Sequence, residues 1–322
     1  MKMRFFFVLC MIGFCIGVHG QEAKTKIKPA IMPVLLSENP INTSMNERDI
    51  AISPDGNEMF YTVYLQAARF HSIIYCRKEK NGKWSPPQVA SFSGSHSDLE
   101  PAFSPDGKKL FFSSNRPEDN ATATNFNIWF VEKLNGLWSS PTSIGAPVNT
   151  PADEFFPSVA ANGNLYFTAA YRGGVGKEDI YIAKWKAGKY AQPVPLDTSV
   201  NSGFYEFNAF VTPDERYILF TSYGRKDDKG GGDIYISTKD ENGKWAPATN
   251  AWAINSDKLD YCPFISFDNK TLFFTSERHA LPESLSNNKV TYEKLKVLSN
   301  QVENGTGNIY QINWDAVRES IQ

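Results

Sequence analysis

The sequence predicts an all-β fold built from five copies of one four-stranded unit, and three observations support this prediction. The chain of 322 residues contains 23 Phe, 14 Tyr and 7 Trp together with 22 Gly and 19 Pro, a composition that favours strands and turns over helices. A motif recurs at steps of 52 to 54 residues from Glu47 to Asp260. Each copy contains the signals of four short strands, and four-stranded sheets repeating at this period are typical of a β-propeller.

The signals within one copy define four strands, which we name a to d in chain order. Strand a ends in a Ser-Pro-Asp-Gly turn or a variant of it, in which Pro fixes φ and Gly adopts the positive φ of a tight hairpin. This turn stands at residues 53–56, 104–107, 161–163, 212–215 and 267–269. Strand b is an aromatic run, and strand c begins at an Ile followed by Tyr or Trp. An Asn-Gly turn, a strong hairpin signal, then leads from strand c to strand d.

Five copies and a shared last sheet are expected to complete the ring. The blades start near residues 47, 100, 154, 206 and 260. The fifth copy ends soon after its strand c at 308–312, and residues 34–36 precede a link similar to the later one at 146–150. We therefore expect 34–36 to supply the missing strand d, which leaves no open sheet edge at the seam. An insertion at 281–307 interrupts the fifth blade, and a short helix is predicted over 291–298.

The first twenty residues have the features of a secretory signal peptide. Basic residues precede an apolar run over residues 5–18, and Val18 and Gly20 occupy the small-residue positions of a cleavage site before Gln21. The run is too short to span a membrane comfortably, and no other stretch is as apolar. We expect an exported mature chain, residues 21–322, that is periplasmic, associated with the outer envelope or secreted.

The four cysteines of the sequence divide between the signal peptide and the mature chain. Cys10 and Cys15 lie in the signal peptide, where each follows a large apolar residue rather than the small one that a bacterial lipidation site requires. Cys76 and Cys262 remain after cleavage, both within apolar strand patterns. In an oxidising compartment they form one disulfide or stay as two buried free thiols, and the sequence leaves both alternatives open.

The charge balance bears on the class of partner. The 33 Lys and Arg nearly cancel the 35 Asp and Glu, giving a net charge of −2. A nucleic-acid-binding protein would show a basic domain or stripe, so this class is excluded. We expect a monomer without a transmembrane segment in the mature chain.

The repeat motif resembles that of a known family. The pattern Glu-x-x-x-Phe-Ser-Pro-Asp-Gly-x-x-Leu-x-Phe-x-Ser-x-Arg, from Glu100 to Arg116, is similar to the WD40-like, or PD40, repeats of TolB-type propellers, and in particular to exported propellers of Bacteroidetes. The resemblance covers essentially the whole mature chain and implies the fold. It does not define one function, because that family includes scaffolds and partner-binding modules. Blades 3 and 5 depart from the turn motif, at residues 161–163 and 267–269.

The repeats also bring a recurring set of charges to one face of the disc. Strand b is antiparallel to both neighbours, so the start of strand a, the end of strand b and the start of strand c meet there. The acid and arginine are Asp98 or Glu100 with Arg116 in blade 2, Glu154 with Arg172 in blade 3, Glu206 with Arg225 in blade 4, and Asp260 with Arg278 in blade 5. Blade 1 has Glu47 but Leu65 in the arginine position. Either the arginines tie the acids into structural ion pairs, or these charges line the funnel mouth and hold a polar ligand.

Residues that break the symmetry are further candidates for the binding of a partner. They are His96, Phe155, Tyr205 and Tyr261, since aromatic rings with a polar tip suit protein and carbohydrate surfaces. Packing between blades is the alternative role of these rings. The mature sequence has no His-x-His or Cys-x-x-Cys spacing, so we expect no metal site and no cofactor.

Two functions compete on this sequence. The first is a non-enzymatic exported propeller that binds a protein, peptide or glycan in the cell envelope, favoured by the symmetric charges and the absence of a Gly-x-Ser-x-Gly nucleophile motif. The second is a glycoside hydrolase or related carbohydrate-active enzyme that uses Glu100, Glu154, Glu206 and Asp260 at the funnel mouth. A structural role in an envelope complex is supported by analogy alone. One structural observation would distinguish them, namely whether the arginines form ion pairs with these carboxylates or leave them open to a ligand.

Overall fold

The chain is a five-bladed β-propeller. The computed structural model describes residues 32–36, 41–118, 125–283, 285 and 289–321, and the predicted signal peptide lies outside these residues. Each blade is an antiparallel sheet in the order a-b-c-d. The a strands of neighbouring blades contact one another, so they form the innermost ring around the axis. The predicted fold class is confirmed.

The strand bounds follow the predicted repeat. Blade 1 comprises Asn46–Ile52, Glu58–Leu65, Phe70–Arg77 and Gln88–Val89. Blade 2 comprises Asp98–Phe103, Lys109–Ser114, Asn127–Leu134 and Thr142–Ser143. Blade 3 comprises Glu154–Val159, Leu165–Ala169, Asp179–Ala183 and Val194–Pro195. Blade 4 comprises Tyr205–Val211, Tyr217–Tyr223, Asp233–Thr238 and Thr249–Asn250, and blade 5 comprises Asp260–Ile265, Thr271–Ser276, Asn308–Asn313 and Val34–Leu35.

Short elements complete the described residues. Leu137–Trp138 pairs with strand c of blade 2, and Trp185–Lys186 with Lys189–Tyr190 forms a small hairpin after strand c of blade 3. A 3₁₀ turn, Gln66–Ala68, joins strands b and c of blade 1. The helices are α1, Tyr292–Asn300, and α2, Trp314–Ser320. Helix α1 lies in the predicted position, and the Thr291 side chain caps it by accepting a hydrogen bond from the Lys294 amide.

The ring closes at a seam between the two ends of the protein. Val34 and Leu35 pair with Gln311 and Tyr310 of the last strand c, and the Leu36 amide donates to the Ile309 carbonyl over 2.9 Å. The last blade therefore takes its outer strand from the N-terminal segment, as the sequence predicts. This pairing covers the edge that strand c of blade 5 would otherwise expose.

An asparagine, buried in three cases and half-buried at Asn42, ties the inter-blade link to strand c in four of the five blades. Its side-chain oxygen accepts from the amide of an Ile at the start of strand c, and its side-chain nitrogen donates to the carbonyl of the same Ile. The pairs are Asn42 with Ile309, Asn149 with Ile128, Asn201 with Ile180, and Asn255 with Ile234, at 2.8–3.0 Å. In the link that follows blade 1, Ser93 stands in place of the asparagine, and its hydroxyl oxygen accepts a hydrogen bond from the Ile73 amide. The sequence motif of the links, Ile or Val followed by Asn, thus serves one hydrogen-bonding purpose.

The repeated aromatic residues fill five apolar clusters, one between each pair of adjacent blades. Phe60 and Phe112 are fully buried between blades 1 and 2, and Phe167 lies between blades 2 and 3. Helix α2 contributes Trp314 and Val317 to the cluster between blades 4 and 5. Cys76 and Cys262 are buried free thiols, which resolves the alternative left open by the sequence.

The hydrogen bonds of the link asparagines predict a loss of stability when one of these asparagines is replaced. Asn201→Ala removes the side-chain partner of the buried Ile180 amide, while the Ile180 carbonyl keeps its hydrogen bond from the Leu196 amide, so the free energy of unfolding should fall by about 2 kcal/mol. Urea denaturation measures the change. Gln192→Ala, at an exposed position in the same blade, is the control and should change stability by less than about 0.5 kcal/mol. Equal stability of the two variants would contradict this role.

Candidate functional site

Every innermost strand contains a β-bulge, and the bulges shape the centre of the ring. The register between strands a and b shifts once in each blade. One residue at each shift has a positive φ of 50–62°, a conformation that is uncommon for a residue with a side chain. These bulge residues are Asp49, Glu100, Phe156, Asn208 and Cys262. A bulge redirects the side chains around it, and in blades 2 and 4 two successive residues of strand a line the same pocket, Leu99 with Glu100 and Phe207 with Asn208.

The residues that precede the bulges line a pocket of about 310 Å³ on the face where strand a begins. We call it the mouth pocket. These five residues are Arg48, Leu99, Phe155, Phe207 and Tyr261. The rest of its lining comes from His71, Glu100, Phe126, Thr168, Glu178, Asn208 and Leu259. Five equivalent positions thus place one cation among apolar and aromatic side chains.

An ion cluster forms the floor of the mouth pocket. Arg48 Nε lies 2.7 Å from Asp49 Oδ1, and Arg48 Nη2 lies 3.2 Å from Glu100 Oε1. The guanidinium also stands 5.1 Å from the ring centre of Tyr261. Cys262 Sγ donates to Asp49 Oδ1 over 2.6 Å. The charge of Arg48 is therefore balanced inside the protein.

Glu100 lines the mouth pocket, whereas Asp98, two residues earlier, is equivalent to Glu47, Glu154, Glu206 and Asp260. We call these five residues, which stand two positions before the bulges, the corner acids. By register Asp98 pairs with Ser114 at the start of strand a, two residues before Glu100. Glu100 accepts from the Phe156 amide at 2.7 Å and from Asn208 Nδ2 at 3.3 Å. Burial and the nearby Asp49 carboxylate raise the pKa of Glu100 to about 7, against the opposing effect of Arg48. The sequence treats the two acids as alternatives, whereas the structure separates their positions.

Beyond Glu100 the axis narrows to a small apolar cavity. Its volume is about 30 Å³, and its walls include Ala51, Ala102, Phe210 and Phe264. A cavity of this volume has room for no more than a few water molecules. A ligand that enters the mouth pocket therefore meets a floor at Glu100.

Three of the predicted arginines are bound to the corner acids. Nη2 of these arginines lies 2.6–3.1 Å from the carboxylate, and the acids are fully buried. The pairs are Arg116 with Asp98, Arg225 with Glu206, and Arg278 with Asp260. Each guanidinium also lies within 5.5 Å of the ring centres of an aromatic residue on strand b and another on strand c. The aromatic repeat and the arginine repeat thus stabilise the same corner.

In blades 3 and 1 the corner acids, Glu154 and Glu47, have partners other than an arginine. Glu154 accepts from Tyr171 Oη at 2.7 Å and from Thr150 Oγ1 at 2.6 Å. Arg172 is exposed and makes no ion pair within the described part of the protein. Glu47 accepts from Thr43 and from Asn308 instead. All five corner acids, Asp98 included, therefore lie outside the lining of the mouth pocket and already have hydrogen-bonding partners.

The symmetry-breaking aromatic residues divide between the pocket and its surroundings. Phe155 and Tyr261 line the mouth pocket. Tyr205 lies outside the lining, with its ring 6.1 Å from that of Tyr223 and 5.0 Å from Lys177 Nζ. His96 is half-buried in the link before blade 2 and is also outside the pocket lining.

Sequence reasoning missed several residues of the pocket. Arg48, Phe207 and Leu99 share the position one residue before the bulge, so an alignment of the five a strands on their corner acids could have found them. Phe126 and Glu178 stand directly before strand c, a position that carries no distinctive motif. They reach the axis because strand c of one blade begins beside strand a of the next.

Glu178 is an acid without a side-chain hydrogen bond or ion pair within the described residues. Burial raises the pKa of its carboxyl to about 7, and the neighbouring Asp153 and Asp179 add to the effect. In the same pocket, burial and the charge of Arg48 lower the pKa of His71 to about 4. His71 is therefore neutral at pH 7. The groups of the mouth pocket that titrate near pH 7 are the carboxyl groups of Glu100 and Glu178.

The described residues contain no group of three or more His, Cys, Asp and Glu side chains that could hold a metal ion. Within the same residues, no helix has the length and apolar character needed to cross a membrane.

Comparison with known proteins adds to the description of the fold. BT0996, in a structure of its RGII complex, is 10% identical, with a TM-score of 0.54 over 88% of the present protein and 91% of BT0996. The α-L-arabinofuranosidase PaAbf62A of Podospora anserina, in complex with cellotriose, is 11% identical, with a TM-score of 0.49 over 88% and 96%. A protein of Agrobacterium tumefaciens described as TolB is 15% identical, with a TM-score of 0.46 over 84% and 90%. No protein-family model and no curated protein matches the sequence. At 10% identity the likeness to BT0996 shows the fold and nothing more.

The corner ion pairs predict unequal effects of equivalent arginines. Arg278→Ala leaves Asp260 buried without its cation and should lower the free energy of unfolding by about 3 kcal/mol. Arg172→Ala, at the matching position of blade 3, removes an exposed side chain and should change it by less than about 0.5 kcal/mol. Thermal and urea denaturation of the two variants measure the difference. Similar losses in both would contradict the assignment.

Glu178 predicts a pH dependence of stability. Between its ordinary pKa of 4.5 and its folded-state pKa of about 7, the folded protein retains a proton that the unfolded protein has released. The free energy of unfolding should therefore fall as the pH rises through this window and level off above it. Glu178→Gln removes this contribution, so urea denaturation at several pH values should show a shallower slope. Glu241→Gln, at an exposed turn in blade 4, should keep the wild-type slope, and an unchanged slope in Glu178→Gln would refute the assignment.

Proposed function

We propose that this protein is an exported, non-enzymatic β-propeller that binds a protein, peptide or glycan partner of the cell envelope at its mouth pocket. The observation that carries the proposal is the ring of residues before the bulges, where Phe155, Phe207 and Tyr261 surround a floor formed by Arg48 and Glu100. Aromatic side chains with a few convergent polar groups are typical of binding pockets.

The distribution of the acids supports binding over hydrolysis. Glycoside hydrolysis requires two carboxyl groups that flank the substrate. Glu154, Glu206 and Asp260 are fully buried and hydrogen-bonded at the blade corners. They are therefore unsuited to act on a ligand, and Glu100 is the one acid of the predicted catalytic set that lines the pocket.

The proposed location rests on the N-terminal sequence. The basic start, apolar run and small-residue cleavage site before Gln21 favour export. The similarity of the repeats to the PD40 repeats of TolB-type propellers and of exported Bacteroidetes propellers supports an envelope or extracellular role. We propose a monomer, since a closed ring of five blades has no unpaired edge at its seam.

A second candidate function follows from the two glutamates of the mouth pocket. Glu100 and Glu178 both line it, and burial raises the pKa of each to about 7, as a general acid at neutral pH requires. A carbohydrate-active enzyme using these two acids is the alternative. Turnover of aryl glycosides or oligosaccharides by the mature protein, abolished in Glu178→Gln, would favour it.

The binding proposal is tested by capture and by a glycan array. The mature protein should retain a specific partner from envelope extract or a specific glycan on the array, and Phe155→Ala should lower that binding roughly ten-fold, because it removes a ring from the pocket wall. Trp185→Ala removes a ring that is 42% exposed on the separate hairpin of blade 3 and should leave binding unchanged. Loss of binding in Trp185→Ala with none in Phe155→Ala would place the interface elsewhere and overturn the proposal.

A further inference from the structure

The walls of the mouth pocket present several aromatic rings to one small space. The rings of Phe126 and Phe155 are 5.0 Å apart and tilted by 39°, and Phe207 and Tyr261 complete the aromatic lining. Arg48 already stands over Tyr261 at 5.1 Å. The faces of such rings attract cations because of their quadrupole, most strongly in a site removed from water. The pocket thus accommodates one cation of its own and has further rings available.

The charges around the pocket favour a second cation. Glu100 and Glu178 line it, and Asp153 and Glu277 stand close by, as their electrostatic effects on Glu178 and Tyr261 show. Asp49 lies behind the floor, paired with Arg48. The basic residues of the lining are Arg48 and the neutral His71. Lys177 lies over Tyr205, outside the lining. Acids therefore outnumber cations, and neither Glu178 nor Glu277 has a side-chain partner within the described residues.

A buried hydroxyl without a partner points to a ligand that carries N–H groups. In strand b of blades 1 and 5, Thr62 and Thr275 accept from the amides of the bulge residues Glu100 and Asp49, at 3.2 and 3.3 Å. Thr168 has the equivalent position in blade 3 and lines the mouth pocket, but its Oγ1 has no hydrogen-bond partner within the described residues although the residue is fully buried. Buried hydroxyls are normally paired. A primary ammonium group could donate to this oxygen, whereas a quaternary ammonium could not.

The size and the rim of the pocket favour a protein side chain. A volume of about 310 Å³ is at the low end for ligand pockets and suits one side chain better than an oligosaccharide. On the same face, Phe204, Tyr223 and Trp252 are 46%, 50% and 52% exposed. Exposed aromatic residues around a pocket are typical of a protein-binding surface.

We propose that the mouth pocket receives the lysine side chain of a protein partner, with its ammonium group between the Glu178 carboxylate, Thr168 Oγ1 and the rings of Phe126 and Phe155. This inference rests on the proposed binding function and assigns its ligand class. The long apolar stem of lysine lies along the aromatic walls, and the charged end reaches the buried polar groups.

The test uses two seven-residue peptide arrays that are identical except at the central residue, which is lysine in one and N-ε-acetyl-lysine in the other. The mature protein should bind its best lysine peptides roughly ten-fold more tightly than their acetylated counterparts, because acetylation removes the charge. Titration calorimetry of the selected peptides measures the ratio. Affinity should fall as the pH is lowered from 8 to 5.5, since Glu178 then binds a proton.

Two variants separate the binding role of these residues from a structural one. Thr168→Val removes a hydroxyl that has no partner within the described residues, so the fold should be at least as stable as in the wild type, while lysine-peptide affinity falls several-fold. Glu178→Gln should lower the affinity and flatten its pH dependence. Thr249→Val and Glu241→Gln, at exposed positions in blade 4, should leave affinity unchanged.

The remaining outcomes distinguish this inference from the proposed function. Equal binding of both arrays, no peptide binding at all, or binding that is unaffected by Thr168→Val and Glu178→Gln would overturn the lysine assignment. If the glycan array or envelope capture still depends on Phe155 in that case, the proposed binding function stands without it. If neither peptide nor glycan nor captured partner responds to Phe155→Ala, both proposals fail.

Discussion

The bulge in each innermost strand is the constraint on which the centre of this propeller depends. A regular strand would alternate its side chains between neighbouring blades, and none would be directed along the axis twice in succession. One residue at positive φ breaks the alternation in every blade, so five residues before the bulges surround the mouth pocket, and the bulge residues Glu100 and Asn208 add to its lining. The backbone strain repeats five times, while the side chains at these positions differ, from Arg48 to Leu99.

The corner acids support the bulges from outside. Each a strand begins with a buried carboxylate that holds the inter-blade link, through Thr150 in blade 3 and Ser256 in blade 5. Burying a charge is costly unless it is paired and hydrogen-bonded, and the arginines of blades 2, 4 and 5 supply that pairing while stacking on the aromatic strands. The corner acids recur in every blade because each of them holds an inter-blade link. Chemistry specific to this protein is therefore expected where the blades differ.

The mouth pocket contains titratable side chains whose pKa values depart from their ordinary values. Glu100 and Glu178 have raised pKa values because they are buried beside other acids, and a bound cation would reverse that effect by favouring their ionised forms. The burial of these two acids thus explains both the fall in stability expected as the pH rises to neutrality and the preference proposed for a positively charged ligand. The unpaired hydroxyl of Thr168 belongs to the same arrangement, since a buried polar atom left unsatisfied among the described residues gains most from a partner.

The sequence by itself determined the five blades and the closure by residues 34–36, because both depend on local motifs that repeat, namely the turn and the aromatic run. It left the repeated acid and arginine open between structural pairing and ligand binding. Of the residues that the sequence proposed for binding, Phe155, Tyr261 and Glu100 line the mouth pocket. Only the tertiary structure decided that Asp98 rather than Glu100 is the corner acid, that Arg172 lacks the role of its counterparts, and that Arg48, Phe126, Thr168 and Glu178 meet at the axis. The reason is physical: a one-residue bulge changes which side chains face the centre, and the pocket joins strands from separate blades whose spacing in the sequence carries no signal.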